Sequence, residues 1–268
     1  MVAHLHSLRP LALEYLRIAD ARAKCAAVRS TGWAERPVET GQRIVCPVPL
    51  PGRSEKPELV LPQRVPQRSI ATPHGRAALV HALAHIELNA VNLALDIVWR
   101  FEGLPEAFYR DWVGVASEEA LHFELLEAHL TTLGHRYGDF PAHNGLWDMA
   151  EKTVDDVLAR LALVPRVLEA RGLDVSPGIR DKLLSVGDHA GAAILQRILD
   201  DEIGHVAIGN RWFRALCAAR GEDPQSFEAR ERALRDAPKP KGPFNREARR
   251  RAGFSEDELQ ALELGAPS

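Results

Sequence analysis

The chain has 268 residues, of which 46% are hydrophobic, enough to bury a sizeable core, and this excludes a disordered chain or a disulfide-stapled miniprotein. Its 37 acidic and 34 basic side chains leave a formal charge of −3, so there is no global field to attract a membrane surface, and nucleic acid is left as a partner through local contact alone. Three cysteines without close spacing, Cys25, Cys46 and Cys217, supply neither a thiolate metal site nor a secreted disulfide framework.

Taken in chain order, residues 9–28 predict one amphipathic helix, with Leu11, Leu13, Leu16 and Ile18 set among charged positions. The charges of Arg9, Glu14, Arg17 and Asp20 leave no uninterrupted apolar stretch for a signal peptide, so the expectation is a cytoplasmic protein. From Gly32 to Pro73 the prolines at 37, 47, 49, 51, 57, 62, 66 and 73 forbid a long helix or a central strand. Such a long connection is expected to be a belt held on the helical body by Ile44, Val45, Val48, Leu59, Val60 and Leu61.

Beyond Pro73 helical periodicity predicts helices over 74–101, 105–133, 146–171 and 188–220. Pro105 is placed in a first turn after the Gly103 break, and Gly172 at a C-terminal cap. The longest run without an acid or base, Ala77 to Ile86, is half of the roughly 20 residues that cross a bilayer, so no transmembrane helix is expected. Further helices are predicted over 223–235 and near 255–263, and the basic run Arg249, Arg250, Arg251 reads as a solvated face. The expected fold class is all-α, a bundle of four long helices over 73–220, with 1–72 as N-terminal helix and belt and 221–268 as a C-terminal extension.

Four acids fall on the apolar faces of these helices. Glu87 shares its face with Val80, Leu83, Ala84, Val91, Ala94 and Val98, and Glu119 with Phe108, Trp112 and Val115, Leu126 continuing the stripe past His122. Val154, Leu158 and Leu161 share the face of Glu169, while Leu195, Ile198, Val206 and Phe213 share that of Glu202 and His205. A buried carboxylate is costly unless it is paired, protonated or metal-bound, and Arg166 can pair with Glu169 alone. With 22 Glu and 11 His, chance yields about one E-x-x-H match; the chain has two, Glu119-x-x-His122 and Glu202-x-x-His205. The arrangement is more specific, because Glu87 precedes Glu119 by 32 residues and Glu169 precedes Glu202 by 33, so a helical hairpin with one acid, then an acid and an imidazole, occurs twice. Glu87, Glu119, His122, Glu169, Glu202 and His205 thus compose the ligand set of a carboxylate-bridged dinuclear metal site, four negative charges against two divalent cations. Glu118 and Asp201, one residue before each motif acid, are candidates to orient the imidazoles. His81 and His85 read as polar edge residues and Tyr109 as a packing residue; no phosphate-loop, dinucleotide or serine-hydrolase motif occurs.

This order of ligands resembles the ferritin-like di-iron carboxylate superfamily over roughly 73–220. The segments HIELNAVNLALDIVWRF, SEEALHFELL, RVLEARGLD and DDEIGHVAIGNRWF are similar to a bacterial ferritin-like family catalogued as a domain of unknown function. The six-ligand pattern alone is also similar to di-iron hydroxylases that modify a tRNA base. The resemblance implies a four-helix bundle with these six ligands, and Pro165, four residues before Glu169, departs from it by kinking or ending the third helix. Two divalent ions are expected, iron first, manganese or zinc as alternatives. The function expected is a non-haem di-iron oxidase or oxygenase, with Glu119 and Glu202 bridging, partnered by dioxygen, an unidentified electron donor and an unidentified small or macromolecular substrate. The alternatives are an iron-handling protein, by ferroxidation or sequestration, and a helical scaffold with structural metal or none.

Overall fold

The computed structural model describes residues 7–66 and 69–265; the remaining ends of the N- and C-terminal segments, and two positions of the belt, lie outside the described residues. Among these residues the regular structure is helical, with one isolated parallel bridge between Leu59 and Ala142, as the fold class requires. The chain gathers into two compact units, 1–147 and 148–268.

In the first unit the helix expected over 9–28 is two helices, α1 (Leu8–Leu16) and α2 (Ala21–Ser30). Asp20 breaks it: as N-cap of α2 its carboxylate accepts the Ala23 N–H at 2.8 Å, and an acid that can satisfy a new helix start competes with helix continuation. Helix α3 (Pro73–Arg100) starts where Thr72 accepts the Gly75 N–H and Pro73 occupies the first turn, and α4 (Glu106–Thr132) returns antiparallel to it. Pro105 is the N-cap of α4 and not a first-turn residue, with Gly103 at φ +76° making the corner. Helix α3 is long and apolar enough to cross a membrane by composition, yet 78% of its apolar window is buried in the fold, the pattern of a core helix.

The Pro-rich segment lies on this unit, but its aliphatic side chains do not fasten it: Val45 is 75% exposed and Leu61 61%. Backbone polar groups do. Gly52 N–H donates to Leu16 O, Gly103 N–H to Thr40 O and Val60 N–H to Ala142 O. Arg9, fully buried, donates to Gln42 O at 2.7 Å, Glu39 O at 3.1 Å, Trp99 O at 2.9 Å and Val98 O at 3.2 Å. One guanidinium thereby joins α1, the belt and the end of α3, which a run of prolines without N–H donors needs.

In the second unit, the helix expected over 146–171 is interrupted. Helix α5 (Gly145–Lys152), in which the unit boundary falls, ends, Asp156 caps α6 (Val157–Leu163), and Val154 sits 43% exposed in the break. From Val164 to Glu169 the backbone is a π-helical turn around Pro165, which accommodates the missing N–H without ending the helix. The helix resumes as α7 (Ala170–Ser185), so Gly172 is an interior residue and not a cap. Ala170 and Leu173 explain the continuation, since both are buried in a cluster with Leu199, Ile203 and Val206 of α8 (His189–Arg220), and that packing outweighs a glycine's poor propensity. Helix α8 ends as expected, on Gly221 at φ +68°.

Helices α9 (Pro224–Leu234), α10 (Arg246–Arg251) and α11 (Glu256–Gly265) complete this unit. The basic run is not uniformly solvated: Arg249 is 1% exposed, paired with Asp174 at 2.8 Å and stacked over Phe244 and Phe254. Arg166, likewise buried, pairs with Glu258 at 2.8 Å and Glu228 at 3.0 Å and hydrogen-bonds Asn210. These pairs dock α9 to α11 on α7 and the π-helical turn before it, where single-partner removal leaves an uncompensated buried charge.

Two mutations test this packing. Arg9→Met leaves several carbonyls without a donor, and is expected to cost about 2 kcal/mol or more in urea unfolding and to open residues 38–52 to proteolysis. At Gly209 an added Cβ would stand 2.6 Å from Pro165 Cβ. Gly209→Ala is therefore expected to destabilise by roughly 1–3 kcal/mol, and Pro165→Gly, which removes the opposing Cβ together with the ring, to relieve much of that in a double-mutant cycle.

Candidate metal centre

In the first unit Glu87 of α3 and Glu119 and His122 of α4 come together, as their spacing predicts. They are 4%, 1% and 0% exposed. Val80, Ala84, Val91 and Val98 on α3, and Phe108, Trp112, Val115 and Leu126 on α4, are buried on the same faces. The helices cannot turn these acids to water without exposing those stripes. His122 Nδ1 lies 3.2 Å from Glu87 Oε2 and 3.4 Å from Glu119 Oε2, and each of the three residues offers a ligand atom within 4.8 Å of the others.

Two carboxylates this close, removed from water, resist ionisation together. Burial first, then the charge of Glu119, pushes the Glu87 carboxyl well above the usual carboxylate range. Burial alone would push His122 down, but hydrogen bonds to Glu119 and Glu87 and their charges overcome it and raise the imidazole. Protonation is thus how the cluster balances its charge without a cation, and a divalent ion would do the same while meeting three N/O donors.

In the second unit Glu202 and His205 of α8 point to one side of one turn, with Glu202 Oε1 3.6 Å from His205 Nδ1. They are 9% and 1% exposed. Glu202 Oε2 is buried with no hydrogen-bond partner among the described residues, the condition a metal ligand is in before its ion is counted. Glu169 closes the π-helical turn; the residue is half-buried and its Oε2 inaccessible. Of the two candidate orienters, Glu118 is exposed on α4, and Asp201 is half-buried and 3.3 Å from Arg197 Nε.

His81 and His85 are not edge residues: both are buried, 0% and 4% exposed. His85 Nε2 is 3.1 Å from His143 O, which can only accept, so Nε2 carries the ring proton and Nδ1 accepts a hydrogen bond from the Tyr137 hydroxyl at 2.7 Å. His81 Nε2 accepts the Gly138 N–H and its ring stacks on Tyr137. Burial pulls each imidazole down to about 4. The i,i+4 spacing was visible in the sequence, but partners more than 50 residues away were not. Tyr109 packs as expected, its hydroxyl donating to Phe101 O and accepting from Leu104 N–H.

The site defines an all-helical protein with a buried carboxylate–imidazole cluster of metal-binding composition. The chain belongs to the DUF455 family, described as a protein of unknown function, which matches residues 17–260 and so takes in both units. An uncharacterized protein of Haemophilus influenzae is 51% identical over 214 residues, covering 76% of this chain and 74% of that one. No solved structure matches the chain.

The raised Glu87 and His122 give the metal-free protein a definite pH dependence. Each native group holds a proton that its unfolded counterpart releases at lower pH, so their contribution is present at low pH and lost as pH rises from the ordinary carboxylate and imidazole ranges. In chelator-treated protein, urea unfolding between about pH 5 and about pH 8 should show Glu87→Gln gaining stability relative to wild type as pH rises. A constant difference across that range would show that Glu87 does not carry the linkage.

Proposed function

We propose that Glu87, Glu119 and His122, together with Glu169, Glu202 and His205, are the ligands of a dinuclear metal centre, and that the protein is a ferritin-like di-iron oxidase or oxygenase. The reading takes α3, α4, the run from α6 to α7, and α8 as a four-helix bundle over 73–220, flanked by 1–72 and 221–268. The observation that carries it is the buried Glu87–Glu119–His122 cluster, whose acids lie on apolar stripes and whose charges a cation would balance. The repeated acid–imidazole turn at Glu202 and His205 supports a second equivalent half. Iron suits an N/O donor set of this kind, with manganese and zinc as competitors.

When bound, two iron ions would supply electrons and vacant positions for dioxygen. The chain's own part is to hold the carboxylates and imidazoles on rigid helices and to exclude water from them, as the burial of Val91, Trp112, Val115 and Leu126 does in the first unit. Dioxygen, an electron donor and an organic substrate are the partners this reading requires, in the reducing cytoplasm, without a membrane.

Metal analysis of protein purified without chelators tests it. About two ions per chain are expected, falling in Glu119→Gln and Glu202→Gln together with metal-dependent thermal stabilisation, since a ligand of the native state stabilises by mass action. The ferrous protein should consume dioxygen. Metal content unchanged in both variants would end the assignment, and stoichiometric iron oxidation with retained ferric product would redirect it to iron handling.

A further inference from the structure

A cavity of about 410 Å³ in the first unit, within the size range of small-molecule sites, is lined by elements that the metal reading leaves unused. Its walls come from the start of α2, the belt at Gly52 to Leu59, Leu88 and Asn92 of α3, Glu127 of α4, and Tyr137. Five basic residues face it, Arg22, Lys24, Arg53, Lys56 and Arg136. Three acids accompany them, and two are already engaged: Glu127 pairs with Arg22 at 2.6 Å, and Asp20 caps α2 through the Ala23 N–H.

Lys24 is the informative residue. It is 1% exposed, yet its ammonium meets neutral oxygens, Asn92 Oδ1 at 2.5 Å and Gly52 O at 3.3 Å. Among the described residues no carboxylate lies within ion-pair distance of it. Burial, set against little from its neighbours, pulls Lys24 down to about 7. A buried ammonium without a counter-charge is expensive, and a fold that needed filling alone would use Leu or Met here. Loss of the proton would relieve that cost at the expense of the charge, whereas an anion in the cavity would hold Lys24 protonated, and the surplus of basic side chains around it favours one.

We infer that this cavity binds a small oxyanion-bearing molecule, a carboxylate or phosphate, with the Lys24 ammonium as its buried counter-charge. Asn92 orients Lys24 through its amide oxygen, and the outer guanidinium and ammonium groups of Arg53, Lys56 and Arg136 draw the anion in. The inference is independent of the metal centre, since Lys24 and Asn92 are not among the proposed ligands.

Calorimetric titration of the full-length protein, as purified, with succinate, with inorganic phosphate and with the neutral succinamide tests it. At least one oxyanion should bind more tightly than succinamide, with the tighter of the two naming the anion class. Lys24→Met should weaken that binding roughly tenfold or more. Asn92→Asp places a carboxylate against the ammonium inside the protein, and should weaken it comparably while keeping or raising the unfolding temperature, so that lost binding is not lost folding. Glu119→Gln should leave the affinity unchanged. Binding of neither oxyanion above succinamide, or loss in Glu119→Gln with retention in Lys24→Met and Asn92→Asp, would overturn the proposal; the latter result would place the anion on the metal centre instead.

Discussion

Burying Glu87 and Glu119 against each other is the constraint around which the first unit is organised. Val80, Ala84, Val91 and Val98 of α3 and Phe108, Trp112, Val115 and Leu126 of α4 make the surrounding stripes apolar, and the helices hold the two acids and His122 inside. The energetic consequence is strain in charge, not in geometry: Glu87 and His122 must hold their protons, or the cluster must meet a cation. A protein selected only for stability would place Leu or Ala there. That the chain repeats an acid and an imidazole one turn apart on α8 makes the arrangement a pattern of the molecule.

Around these helices the accessory segments are held by a different device. Arg9 in the first unit, and Arg166 and Arg249 in the second, are buried guanidiniums whose donors satisfy carbonyls and carboxylates from several elements. A guanidinium suits this role because its five donors lie in a fixed planar fork. The belt is not secured by an apolar face, as the exposure of Val45 and Leu61 shows, whereas the C-terminal helices add their buried arginine pairs to an apolar cluster of Ala248, Ala252, Phe254 and Leu259. Lys24 shares neutral partners with Arg9, but it has two oxygens where Arg9 has five, and it stands on the wall of a cavity.

Helix ends and interruptions show how local chemistry and packing divide control. Thr72, Asp188 and Asp223 cap helices by accepting a backbone N–H within their own first turn, so α3, α8 and α9 began where the sequence placed them. Asp20 and Asp156 do the same, but each sits inside a longer periodic stretch, and periodicity alone carried the reading through them. Pro165 was legible as a disturbance. Its resolution as a π-helical turn, with Gly209 facing the proline ring, depends on α8 lying close by.

The sequence by itself determined the all-helical class, α3, α4 and α8 nearly to their ends, and the inward placement of Glu87, Glu119, His122, Glu202 and His205. These follow from side-chain period along a single helix, which is a local property. The tertiary structure decided the rest: the continuation of α7 past Gly172, the attachment of the belt by Arg9 and backbone bonds, the burial of His81, His85 and Arg249, and the neutral surroundings of Lys24. Each of these depends on groups brought together from distant parts of the chain, such as Arg9 with Val98 or Lys24 with Asn92, and a periodic pattern carries no information about which distant carbonyl or carboxylate will stand opposite a given side chain.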